Sequence, residues 1–369
     1  MATKLARALL TVLIGAMAAT AAAQYGYQPF FDQPLIQNRA YGLELVLRRL
    51  AVIDQFEAPL DDDLMEQVEA LLDSDVHRFV GTLRAADPAL ADDLLAALEE
   101  VEERAEAGED ASAAVAEART LALRAYDRVV PTEVRRSPAF LGGVIADLSL
   151  GEGGVAEGYE EAAGGEPFEF TSGWASLQRV EELWTQLSVY ATAEQRADVE
   201  EMLGLLDGVY PRPEPPPAIV GDPEEAEASV QRLISLLETV ADAELFAGRD
   251  MPALAESLVV TLTPACRAYQ AGDDAVALEG VFAVGELYVR YLADFMGFMA
   301  PEVHEEAAEV IGTLTGLEAE GDEGEEGEEE DDEAGAEAAP AGAAAGAAAG
   351  AACLELLEAL EEAVGVLGG

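Results

Sequence analysis

After position 4 the chain contains no lysine, and only two histidines and two cysteines occur in 369 residues. Each scarcity excludes something. A zincin needs two histidines in H-E-x-x-H, whereas His77 and His304 stand far apart, so no such site is available. Cys266 and Cys353 are too few for a disulfide scaffold, and a low-complexity segment lies between them. They are therefore expected as two isolated thiols rather than one bridge. Serine, cysteine and histidine do not cluster as a nucleophile and its base, so neither an enzyme nor any catalytic residue is expected. No stretch alternates apolar and polar residues with period two, which argues against β-sheet.

What is present in excess is acid. Aspartate and glutamate number 74 against 20 lysines and arginines, a formal net charge of -54. Such a surface repels nucleic acid and anionic lipid, so neither is expected as a partner. The charge has two readings: adaptation to salt or solubility, or a local gathering of carboxylates for cations.

The start, "MATKLARALLTVLIGAMAATAAAQ", has a basic n-region at Lys4 and Arg7, an apolar h-region and an A-x-A pattern ending at Ala23. It reads as a secretory signal peptide over 1–23, which places the mature protein outside the cytoplasm, periplasmic or secreted. No membrane span is expected after cleavage.

Beyond the leader the period is helical. In "WASLQRVEELWTQL" the apolar residues Trp174, Leu177, Val180, Leu183, Trp184 and Leu187 form one stripe, and "SVQRLISLLETVADAELF" does the same. Further helices are expected near 38–57, 61–80, 88–107, 110–129, 192–208, 250–271, 274–299 and 301–316. The fold is therefore all-α, a helical bundle or stacked helical hairpins. The stiff "PRPEPPP" at 211–217 separates a first helical region, 24–210, from a second, 218–317. A faint repeat crosses it: "SLQRVEEL" at 176–183 matches "SVQRLISL" at 229–236, and "AEAGEDA" at 105–111 matches "YQAGDDA" at 269–275. From 318 to 351 an acidic block and an Ala/Gly-rich run are expected as a disordered, flexible linker. Residues 352–369 make a short amphipathic helix, free to dock back or to bind a partner.

The most unusual stretch is "GEGGVAEGYEEAAGGE", 151–166. Gly151-x-Gly153-x-x-Ala156 fits a dinucleotide fingerprint, and the apolar "FLGGVIADLSL" before it is compatible with a strand. A dinucleotide site also needs a βαβ unit, absent here, and glutamates would face the pyrophosphate; an organic cofactor is not expected. On a helix, Glu157, Glu160 and Glu161 share one face, and with Glu152 they are candidate oxygen ligands for iron or another hard cation. The bland alternative is a solvated acidic helix between glycine hinges. Asp242 and Glu244, near Arg249 and Asp250, form either a further metal site or an ion-pair network. His77 and His304 read as surface or capping residues, and the Met/aromatic stripe through Tyr288, Tyr291, Phe295, Met296, Phe298 and Met299 reads as core.

The segments "GEGGVAEGYEEA", "GWASLQRVEELW", "DPEEAEASVQRLISLLETVADAELFAGRD" and "AYQAGDDAVALE" together resemble the extracytoplasmic helical region ahead of the membrane domain in some bacterial high-affinity iron permeases. The resemblance covers roughly 151–317. That family's permease domain carries Arg-Glu-x-x-Glu on membrane helices, whereas this chain has no Arg-Glu pair, which excludes iron translocation by this chain alone. The resemblance implies a soluble relative that captures iron and presents it to a separate membrane iron permease, with Glu152, Glu157, Glu160 and Glu161 as the ligands carried over. The rival expectation is a helical cell-envelope scaffold that binds protein partners.

Overall fold

The computed structural model describes residues 34–56, 58–60, 62–151, 153–166, 168–216, 219, 222–246, 250–315, 317 and 343–367. The expected leader, Glu152, Arg249 and the acidic block lie outside the described residues. Those described fold into sixteen α-helices with two short 3-10 turns and no strand. The chain is all-α.

Helix α1 (Pro34–Ile53) runs through the centre, with α2 (Asp62–Asp73), α3 (Val80–Ala86), α4 (Pro88–Glu106) and α5 (Ser112–Val129) following it. Where one helix over 61–80 is expected, the chain instead breaks at Ser74 and Phe79 around a 3-10 turn, Asp75–Arg78. That break turns Asp75 and Arg78 into the interior. Next come α6 (Thr132–Arg135), α7 (Pro138–Leu150), α8 (Glu157–Gly164), α9 (Glu169–Leu187) and α10 (Ala193–Val209). After the proline segment follow α11 (Pro223–Ala241), α12 (Met251–Ala271), α13 (Asp274–Tyr291), α14 (Ala293–Met299), α15 (Pro301–Thr315) and α16 (Ala343–Leu367).

Helix α1 packs against α5, α7, α9 and α13, and α11 packs on α7 and α10. Buried residues on both sides of the proline segment belong to one hydrophobic cluster, from Leu43 and Val144 to Leu237 and Ile311. Several helix starts are capped by side chains. Asp87 accepts from the Leu90 amide at 3.2 Å, Asp222 from Glu224 at 3.2 Å, and Thr192 with Gln195 closes a capping box. The two matching turns also correspond: Gly108 (φ 65°) and Gly272 (φ 77°) both adopt the left-handed conformation between antiparallel neighbours.

Three expectations need correction. The stretch before the glycines is not extended but is helix α7, in which eleven residues, Ala139–Ser149, are buried. Enclosed by α1, α9 and α11, it has no wet face, and so no stripe for periodicity to detect. The Ala/Gly run is not a flexible linker up to 351, because α16 begins at Ala343. Alanine favours helix, and α16 gains further stability by packing on α12 and α15. Its small residues allow close approach: a methyl on Gly350 would stand 3.6 Å from Tyr269 Cβ.

The third correction concerns the cysteines. They are bonded, Cys266 of α12 to Cys353 of α16, with a Cα–Cα distance of 5.4 Å. The buried seam of α16, Cys353, Leu356, Leu360 and Ala363, follows helical spacing and brings one sulfur to the other across 87 residues of sequence. Among the described residues, no helix is long and apolar enough to cross a membrane.

Candidate functional site

The polar centre of the molecule is built on α1. Its residues Gln37, Tyr41, Glu44 and Arg48, spaced four, three and four apart, lie on one helical face and are buried. Gln37 Nε2 donates to Asp147 Oδ2 at 2.8 Å, and Arg290 Nη1 donates to Asp147 Oδ1 at 2.7 Å. Arg290 also bonds Glu286, which accepts from Arg78 Nη1 at 3.0 Å. The Arg78 and Arg290 guanidiniums lie over the Tyr41 ring at 5.4 and 5.3 Å.

Three more pairs extend the network. Arg179 grips Glu44 at 2.6 and 3.0 Å, Arg49 donates to Asp75 at 2.8 Å, and Arg39 donates to Glu279 at 2.9 Å. Charge removed from water needs such partners, and each of these five acids has one.

Burial and neighbours set the titration of this centre. Burial raises the Asp147 carboxyl to about 6, against the opposing pull of Arg290. For Glu286 burial also acts upward, but Arg290 and Arg78 outweigh it and hold the carboxyl below its ordinary value. Burial, reinforced by Glu286, lifts the Tyr41 phenol well above the usual range. A cavity of about 10 Å³ bounded by Gln37, Asn38, Tyr41, Asp147 and Glu286 has the room of roughly one water molecule, too little for an organic substrate.

The glycine turn covers this centre. A methyl on Gly151 would stand 2.1 Å from the Tyr41 hydroxyl, and one on Gly153 (φ 58°) 2.9 Å from Arg48 Nη1. Only glycine lets the backbone pass so close. The turn's amides are already engaged: Gly154 N–H donates to Gly151 O at 2.7 Å, Val155 to Leu148 O at 3.2 Å and Ala156 to Ser149 O at 3.1 Å. A phosphate cradle needs amides that point outward, so the dinucleotide pattern is a packing device here. Its carbonyls are used as well. Tyr210 donates to Val155 O at 2.8 Å and Ser176 to Gly153 O at 3.2 Å.

The expected cation ligands sit at the rim of this arrangement. Glu157 is half-buried at the start of α8, Glu160 is exposed and Glu161 is half-buried; Glu152 lies outside the described residues. Tyr159 is buried and packs edge-on against Tyr210, with ring centroids 5.9 Å apart. Asp242 is an exposed left-handed cap of α11 (φ 51°), and Glu244 is half-buried two residues on. Among the described residues, no group of three or more His, Cys, Asp or Glu side chains is gathered to hold a metal ion.

The histidines take structural places. His77 stacks on Phe282 at 6.4 Å, and burial lowers its pKa despite nearby Asp73. His304 stacks on Tyr288 at 6.1 Å. A larger cleft of about 680 Å³ opens between the end of α1 and the α4–α5 turn. It is lined by Asp54, Glu109, Asp110 and Ser112 among others, with no histidine, cysteine or basic residue among its described lining.

Sequence reasoning missed the arginine–carboxylate centre. Its signal was the set of polar residues embedded in "LIQNRAYGLELVLRRL", whose hydrogen-bond partners lie as far as 241 positions away. No family model, no curated protein and no solved structure matches this chain.

Proposed function

We propose that the chain is a non-enzymatic, extracytoplasmic helical protein that associates with iron or another hard cation and presents it to a separate membrane permease. The carboxylates of the 152–161 segment, Glu152, Glu157, Glu160 and Glu161, are the ligands in this reading, with Asp242 and Glu244 as a second group.

The observation that supports it is charge segregation. Five arginines (Arg39, Arg49, Arg78, Arg179 and Arg290) are matched by Glu279, Asp75, Glu286, Glu44 and Asp147 in buried or half-buried pairs. The paired interior is thereby close to neutral, so the acidic excess of the described residues lies at their surface, in a chain whose net charge is -54. A surface of that sign concentrates multivalent cations. The half-buried Glu157 and Glu161, next to a turn pinned by buried side chains, are its best-positioned carboxylates.

The test is calorimetric titration of iron into the mature chain at roughly physiological salt, with calcium as competitor. The reading expects one or two saturable sites that calcium does not displace, lost in Glu157→Gln/Glu160→Gln/Glu161→Gln while the circular dichroism spectrum stays the same. Weak, unsaturable binding that fades with salt would reject it.

A second reading, a cell-envelope scaffold that binds protein partners, is favoured by a different observation. Phe295, Phe298 and Met299 are exposed together on one short helix, and clustered rather than scattered apolar exposure marks interaction surfaces.

A further inference from the structure

Helix α14, Ala293–Met299, turns Ala293 and Met296 inward at 2 % and 0 % exposure. The single helix expected over 274–299 breaks at Leu292, and the short second helix presents on its other face Phe295, Phe298 and Met299, expected in the core but exposed by 36, 85 and 48 %. At positions i, i+3 and i+4 the three side chains share one face. The corner beneath them is firmly held. Gly297 abuts His304, the His304 ring lies within 14° of parallel to Tyr288, and His304 Nδ1 is 3.1 Å from the Tyr288 hydroxyl. The aromatic and methionine side chains are therefore displayed from a packed element, which lowers the ordering cost of binding. Asp294, Glu302, Glu305 and Glu306 are exposed in the same segment. No lysine or arginine follows Arg290 in the sequence, and Arg290 is itself engaged by Asp147 and Glu286.

We propose that the α14–α15 corner docks a basic amphipathic segment of a partner protein, with its apolar face on Phe298 and Met299 and its cationic residues on the surrounding carboxylates. Charge complementarity selects this occupant. A second copy of the chain would bring the same carboxylates together across a two-fold axis. An anionic bilayer is repelled. The chain's own C-terminal helix is already seated on α12 and α15 and bonded there through Cys353. Phenylalanine and methionine are enriched in the buried cores of protein interfaces. The inference does not depend on the cation reading.

The probe is a fluorescent synthetic helical peptide with leucines on one face and lysines on the other, titrated by anisotropy into the full mature chain at about 0.15 M salt. A control peptide of equal charge carries serine in place of leucine. Phe298→Ser/Met299→Ser should weaken the leucine peptide at least about tenfold, the loss expected on deleting a hot spot. The control peptide should bind wild type and variant equally weakly. Glu302→Gln/Glu305→Gln/Glu306→Gln, which keeps the apolar face, should also weaken the leucine peptide and reduce its salt dependence. Unchanged affinity in either variant would overturn the proposal. So would capture of the wild type, but not the serine variant, by phosphatidylcholine vesicles, or a wild-type dimer that the serine variant abolishes, because each gives the face another occupant.

Discussion

At Gly151 an added methyl would press against the Tyr41 hydroxyl and against Arg290 Nη2 at 2.7 Å, whereas at Gly164 nothing lies within 4 Å. Two glycines of one motif thus have opposite expectations. Gly151→Ala should destabilise the fold by about 1–3 kcal/mol through overpacking. Gly164→Ala, in the last position of α8, should be neutral or stabilising by up to about 1 kcal/mol. Urea denaturation of the two variants measures both, and the reverse ranking would refute the packing account.

Asp147 gives a pH-dependent expectation. Its folded carboxyl titrates near 6, its ordinary value being 3.8, so the folded state retains a proton that the unfolded chain releases. The contribution is complete below the ordinary value and is lost as pH rises towards 6, by about 1.4 kcal/mol per unit within that window. Asp147→Asn does not titrate. Its stability relative to wild type should therefore improve as pH rises from about 4 to about 6, and urea unfolding across that range would expose a flat difference if the idea fails. Glu286 is shifted downward and acts in the opposite sense, but it is present in both proteins.

Among the helices, those with one wet face were legible and those without were not. The stripes of α9 and α11, the Asp–Pro starts of α4 and α11, and the paired glycine turns all follow from local rules, and the structure keeps them. Helix α7 is buried nearly all round, and α1 buries charged side chains within apolar turns; such patterns acquire meaning only from their neighbours. The candidate site divides in the same way. Its glycines and glutamates stand out in the sequence, but Tyr41, Arg48 and Arg290, which explain the glycines, come from two distant helices. The disulfide was equally hidden, because a separation of 87 positions carries no sign that its ends meet. Breaking it with Cys266→Ser/Cys353→Ser should cost up to about 4–5 kcal/mol by loop-entropy reasoning and should lower the protection of α16 amides. Hydrogen exchange would detect this. Unchanged protection would mean that the apolar seam alone secures the helix.

For the whole molecule, the balance lies between a neutral interior and a surface in which acid outnumbers base, with a few outer ion pairs such as Arg128–Asp87. Repulsion among the outer carboxylates opposes the compact state, and salt screens it, with a Debye length falling from about 30 Å at 0.01 M to about 3 Å at 1 M. The buried pairs, Arg49–Asp75 and Arg290–Asp147 among them, are much less sensitive. The thermal midpoint should therefore rise with sodium chloride across that range. A fall would mean that the outer ion pairs outweigh the general repulsion.

The Cys266–Cys353 bond also alters the topology of the chain. Residues 266–353 form a covalent ring, closed through sulfur, that contains α13, α14, α15 and the whole acidic block. A protease that cuts once within that block opens the ring but releases no fragment. The nicked protein keeps α16 attached and separates into two pieces only after both unfolding and reduction.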